Sequence, residues 1–177
     1  MMVTEFDILT ASILIVDDQE DNVTLLGQML REAGYACVAS TMNPHEVCVL
    51  HRKNRYDLIL LDLQMPGMDG FQVMEALKTN DANGYLPVLV ITAQPGHKLR
   101  ALQAGAKDFV SKPFDLVEVK TRIYNMLEVR LMYRKLEQTV EKRTAELRES
   151  EARFRALREM AGFCAQIRQR RTSVTVK

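Results

Sequence analysis

Leu58-Ile59-Leu60-Leu61-Asp62 is a run of four apolar residues that ends on a carboxylate. A short, unalternating apolar run suits a strand covered on both faces, as strands of parallel sheets are. The pattern occurs twice more: Ile13-Leu14-Ile15-Val16 ends in Asp17-Asp18, and Val88-Leu89-Val90-Ile91 ends in Thr92. Weaker strands fit residues 36–39 and 108–110. Between them lie helical spacings: Val23, Leu26, Met29 and Leu30 ahead of Gly34, and Val47 and Leu50 after Pro44. Strands alternating with helices at this interval imply βα units. Right-handed crossovers then give an α/β fold, a doubly wound five-stranded parallel sheet with helices on both faces. In such sheets ligands bind beyond the carboxyl ends of the strands, where these polar residues fall.

The bulk numbers exclude more than they select. At 177 residues the chain has room for one ordinary domain and an appendage. A net charge of +1 gives no global argument for nucleic acid or membrane binding. No run approaches the roughly 18 apolar residues of a membrane span, and the start, with Glu5 and Asp7 and no basic residues, lacks the form of a secretory signal. A cytoplasmic location is expected. Cys37, Cys48 and Cys164 are odd in number and widely spaced, so they are read as free thiols, two of them packed, rather than disulfide or zinc partners.

Three acids brought to one sheet edge repel one another unless a cation neutralises them. A hard divalent ion such as Mg2+ takes oxygen ligands and characteristically bridges carboxylates to phosphate oxygens. A carboxylate can also be the nucleophile that accepts a phosphoryl group, and such transfer needs charge neutralisation and alignment more than acid-base work. Lys112 offers a positive charge to a phosphoryl oxygen and Thr92 a hydroxyl donor. Taken singly, each has a structural alternative; Asp18, for instance, could simply cap the helix that follows. The order Asp-Asp, Asp, Thr, Lys, following successive apolar runs, favours a joint site.

With those stretches in hand, residues 12–128 resemble the receiver domain of two-component signalling, with its flavodoxin-like fold. The resemblance is carried by residues 13–18, by Asp57-Leu58-Ile59-Leu60-Leu61-Asp62-Leu63-Gln64-Met65-Pro66-Gly67-Met68-Asp69-Gly70, by Ile91-Thr92-Ala93 and by Gly105-Ala106-Lys107-Asp108-Phe109-Val110-Ser111-Lys112-Pro113-Phe114. It implies that Asp62 is phosphorylated, that Asp17, Asp18, Asp62 and the backbone carbonyl of Gln64 hold Mg2+, and that Lys112 contacts the phosphoryl group. It further implies that Thr92 and Phe109 switch position together, that Lys112-Pro113 is a cis bond, and that a histidine kinase or histidine phosphotransfer protein is the donor. Gln64 and Gln94 resemble positions that tune the lifetime of the acyl phosphate. The domain would catalyse only its own phosphoryl transfer and hydrolysis.

From residue 115 to 160 there is neither Pro nor Gly, and apolar residues recur at helical intervals. Val129, Leu136, Arg143, Ser150, Leu157 and Tyr133, Val140, Leu147, Phe154, Ala161 form two heptad series, with eight of the ten positions apolar or aromatic. The reading is a coiled-coil helix over residues 129–161 that supports a homodimer, together with the last helix of the receiver; the alternative is an amphipathic helix folded back on the domain. Residues 1–11 read as a tail and 162–177 as a flexible basic tail. Residues 143–155 resemble signalling-helix connectors that lead into PAS, histidine kinase or diguanylate cyclase domains, so the chain could belong to a larger regulator. Rival functions fit less well. None of His45, His51 and His97 lies on the long helix where a kinase phosphodonor would sit. Gln64 cannot serve as the general acid of an aspartate-nucleophile phosphohydrolase. The Arg168-Gln169-Arg170-Arg171 cluster is the sole argument for DNA, and no helix-turn-helix fits after it.

Overall fold

A computed structural model describes residues 2–80, 85–94 and 96–174, with the side chains of residues 80 and 163–174 left aside. It divides into two compact units, Met1–Arg134 and Lys135–Lys177. In the first, five parallel strands, β1 (Ser12–Val16), β2 (Cys37–Thr41), β3 (Leu58–Asp62), β4 (Val88–Thr92) and β5 (Asp108–Ser111), pair in the order β2-β1-β3-β4-β5. The register sets Val16 beside Leu61, Asp62 beside Ile91, and Thr92 beside Ser111. The expected flavodoxin-like doubly wound sheet is therefore present.

Alternation along the strands builds two cores. Ile13, Ile15, Leu58, Leu60, Leu89 and Ile91 face one side, where they meet Leu26, Met29 and Leu30 of α2 (Glu20–Glu32) and Val119, Ile123 and Leu127 of α6 (Leu116–Val174). Leu14, Val16, Ile59, Leu61, Val88 and Val90 face the other, against α3 (Val47–Asn54), α4 (Gly70–Asn80) and α5 (His97–Gln103). Fully burying each such side chain contributes about 1.5–3 kcal/mol. Because β3 is buried on both faces along its whole length, its carboxyl end is fixed. Helix α2 stops where Gly34 takes φ +93, a left-handed conformation that glycine adopts without strain.

Three boundaries differ from the sequence reading. Residues 1–11, expected to be a tail, contain α1 (Glu5–Leu9), held by a capping box between Thr4 and Asp7, and its Ile8 lies in the first core. The first compact unit runs past residue 128, to Arg134. Leu131 is fully buried, Arg134 Nη1 donates to Asp57 Oδ1 at 2.7 Å, Arg130 donates to the Tyr85 carbonyl, and Tyr133 stacks on Tyr85 with centroids 4.7 Å apart. The α6 backbone also continues past Gly162, where a flexible tail was expected, to Val174. Cys37 is exposed and Cys48 half-buried; the side chains of Cys164 and of the Arg168–171 cluster lie outside the described residues.

The described residues of the second unit belong to α6 and present heptad positions to solvent: Leu136, Val140, Leu147, Phe154 and Leu157 are all exposed. Among the described residues no helix is long and apolar enough to cross a membrane.

Candidate functional site

The carboxyl ends of β1, β3, β4 and β5 converge. Asp17 follows β1, Asp62 ends β3, Thr92 ends β4, and Lys112 follows β5. Asp17, Asp62 and Thr92 are almost entirely buried and Asp18 partly so. Lys112 Nζ reaches between two carboxylates, donating to Asp17 Oδ2 and to Asp62 Oδ2, each at 3.0 Å. Sequence separations of 95 and 50 residues thus collapse to one contact. The Lys112-Pro113 peptide is cis, as expected.

Each acid is held differently. Asp17 Oδ1 accepts from the Gln19 amide at 2.9 Å, and Asn22 Nδ2 donates to both of its oxygens, at 3.1 and 3.0 Å. Asn22 was not singled out from the sequence. The available signal is its place in the first turn of α2, five residues after Asp17. Asp62 Oδ1 accepts from the Gln64 amide at 3.3 Å. The Asp62 carboxyl is nonetheless held above its ordinary range: burial raises it, and this outweighs the lowering by Lys112 and Gln64, while Asp17 adds repulsion. Lys112 shows the converse balance. Burial pulls its ammonium down, but its bonds to Asp17 and Asp62 leave it net raised.

Close approach of backbone to the acceptor also constrains the site. A Cβ on Gly70 would stand 2.6 Å from the Asp62 carbonyl oxygen and 2.8 Å from Leu63 Cα, so only glycine allows α4 to start so near Asp62.

The donor set suits a hard divalent cation. One oxygen from each of Asp17, Asp18 and Asp62 lies within 4.8 Å of the others. Asp18 Oδ1 is buried with no hydrogen-bond partner among the described residues, a costly arrangement for a carboxylate unless a cation satisfies it. Three carboxylates against one ammonium leave net negative charge, and the all-oxygen set matches Mg2+.

Thr92 and Phe109 occupy adjoining strands. Thr92 Oγ1 accepts from the Gln94 amide at 3.1 Å, and its carbonyl accepts from the Lys112 amide at 2.8 Å. Phe109 is half-buried, with Lys98 Nζ 4.1 Å and the Arg122 guanidinium 5.9 Å from its ring centroid. Arg122 is itself paired with Asp108 and Glu118. Neither cation was anticipated as a neighbour of Phe109.

A parallel sheet ordered 2-1-3-4-5, with clustered acids and a lysine at its carboxyl edge, is the flavodoxin-like class of fold with a candidate cation site, and comparison with known proteins narrows the class. The family model of the response regulator receiver domain matches residues 13–124, and the chain belongs to that family. The response regulator PleD of Caulobacter vibrioides is 35% identical over 161 residues, which cover 90% of this chain and 33% of PleD. The chain therefore spans about a third of the length of that relative. A putative response regulator from Chloroflexus aurantiacus superposes with TM-score 0.61 at 34% identity, covering 67% of this chain and 98% of that one. The receiver domain of the sensor histidine kinase PA1611 from Pseudomonas aeruginosa, solved with a magnesium ion coordinated in its active-site cleft, gives TM-score 0.60 at 29% identity over 67% of this chain and 98% of its own.

Proposed function

We propose that this chain accepts a phosphoryl group on Asp62 from a histidine kinase or a histidine phosphotransfer protein, and that the acyl phosphate changes its association through α6. The observation that carries the reading is the buried Asp62 carboxylate, which shares Lys112 with Asp17 beside an unsatisfied Asp18 oxygen. In the transfer, an Asp62 carboxylate oxygen forms a bond to phosphorus while the bond from phosphorus to the donor's imidazole nitrogen breaks, and the imidazole leaves. Asp17, Asp18, Asp62 and the Gln64 carbonyl are the residues suited to hold Mg2+, which when bound supplies charge neutralisation on the phosphoryl oxygens.

Lys112 is placed to exchange its carboxylate contact for a phosphoryl oxygen. The Thr92 hydroxyl accepts from the Gln94 amide and has its own proton to donate to a phosphate oxygen that exists in only one state, the kind of differential contact a population shift requires. Phe109 is the aromatic that moves with Thr92, altering the surface of α5, β5 and residues 115–127. A homodimer through the exposed heptads, with residues 115–127 as a second candidate surface, is the output we favour, and the cytoplasm is the compartment. The chain's activity is confined to its own transfer and hydrolysis. Because it spans a third of PleD and its residues 143–155 resemble signalling connectors, an attached cyclase, PAS or kinase domain is the second reading.

Incubation with acetyl phosphate and Mg2+ should add one phosphoryl group to the wild type and none to Asp62→Ala, read by intact mass. Equal labelling of the variant would refute the assignment.

A further inference from the structure

The exposed heptads of residues 136–158 need a cover, and the charges beside them bear on which one. Taking Val140, Leu147 and Phe154 as a positions makes Leu136, Arg143, Ser150 and Leu157 d positions. Glu137, Thr144, Glu151 and Arg158 then fall at e, and Thr139, Glu146, Arg153 and Met160 at g. The flanking charges are divided by position: Glu137, Glu146 and Glu151 lie before residue 152, Arg153 and Arg158 after it. Flanking e and g charges set partner and orientation in coiled coils.

A parallel, in-register pair brings each g residue to the partner's e residue five positions on. Glu146 would then meet Glu151 of the partner subunit, and Arg153 would meet Arg158 of the partner subunit. Arg143 would also stack on its own copy in the seam. Every charged contact that arrangement makes is between like charges. Reversing one helix brings the acidic block against the basic one.

We infer that residues 136–158 pair with a second copy of this chain in antiparallel orientation, with Leu147 opposite Ser150 of the partner subunit. This deepens the dimer reading above and rests on it, but not on the phosphoacceptor reading. In this register Val140 faces Leu157 of the partner subunit, Glu146 lies beside Arg153 of the partner subunit, and Glu137 beside Arg158 of the partner subunit. Arg143 lies against Phe154 of the partner subunit, whose ring face can accept a guanidinium. Arg153 now pairs with Glu149 within its own helix. That pair is exposed on both sides and costs little to exchange.

Spin-label distances on the full chain, with its three cysteines replaced, test the orientation. Labels at Gln138 and Ala152 both sit on the outer face of the helix. The antiparallel coil separates the two Gln138 sites by about 30 Å along the axis and the two Ala152 sites by about 10 Å; a parallel coil gives the same short separation at both. The double substitution Glu151→Arg with Arg158→Glu gives opposite charges at both parallel contacts, and should convert the unequal distances into equal ones. Equal distances in the otherwise unsubstituted helix overturn the orientation, and a monomer by sedimentation at the labelling concentration overturns the pairing. Labelling of Asp62 by acetyl phosphate, measured separately, is unaffected by either result.

Discussion

Strand β3 carries a buried carboxylate just before its start and another at its end, and the two have opposite characters. Asp57 is held by cations alone apart from one amide: one oxygen accepts from the Ser12 amide at 3.1 Å, the other from Arg134 at 2.7 Å, and Arg130 stands 3.8 Å away. Asp62 shares its lysine with Asp17, has its carboxyl raised by burial, and stands near an Asp18 oxygen without a partner among the described residues. Both ends bury an acid against a cation. At the Asp57 end the group left without a hydrogen-bond partner among the described residues is a cation's, Arg130 Nε; at the Asp62 end it is a carboxylate oxygen of Asp18, set among like charges. Crowding of like charges, rather than burial or pairing, separates the end of the strand proposed to react from the structural one.

Cutting the chain breaks this contrast most severely. Ending it at Glu128 removes Arg130, Leu131 and Arg134. Loss of a buried leucine costs roughly 2–5 kcal/mol. Depriving a buried carboxylate of its partner costs up to roughly 3–5 kcal/mol, reduced here because the Arg134 side chain is 45% exposed. Together these approach the roughly 5–15 kcal/mol that holds a domain folded. A chain ending at Leu136 should therefore unfold cooperatively in urea, whereas one ending at Glu128 should be largely unfolded before denaturant is added. Equal midpoints would show that Asp57 is not a structural anchor.

A smaller effect is expected at the other end. Mg2+ at about 100 times its dissociation constant should stabilise the wild type by about 2.7 kcal/mol. Asp62→Asn should lose most of that gain and Arg134→Met should keep it, read as shifts in urea midpoint. A magnesium response that disappeared equally in both variants would erase the distinction between the ends.

Alkali should produce the mildest change. Burial pushes the Tyr35 hydroxyl up to about 12 from 10.0, and Lys112 is also raised, from 10.5, its bonds to Asp17 and Asp62 overcoming burial. Groups raised on folding contribute stability that is fully present below their unfolded values and is lost as pH rises through the folded ones. Stability should therefore hold to pH 10 and decline toward 12, with Tyr35→Phe flattening the first part of that decline in denaturant melts.

The sheet and the gathering of the candidate site residues at its edge were legible because both are written locally. Runs such as 13–16 and 58–61 report two-sided burial, and the polar residue ending each run needs no further information to be placed at the sheet edge. Helix α1 was also written locally, in Thr4-x-x-Asp7, but its five residues leave no periodicity to weigh. What stayed hidden is long-range. Nothing near Asp57 announces Arg134, 77 residues away, and nothing near Phe109 announces Lys98 or Arg122. The packing of residues 129–134 stayed hidden for that reason: they continue the heptads while also completing the first compact unit, and a periodic pattern does not reveal what lies beneath it.

The stacked Tyr85 and Tyr133 have an optical consequence. With no tryptophan and five tyrosines, the ultraviolet emission of this chain is purely phenolic, and two rings 4.7 Å apart should quench each other. Detachment of Tyr133 from the body would separate them and brighten the protein. Its native fluorescence should thus serve as an unlabelled optical gauge of whether the start of the long helix is seated.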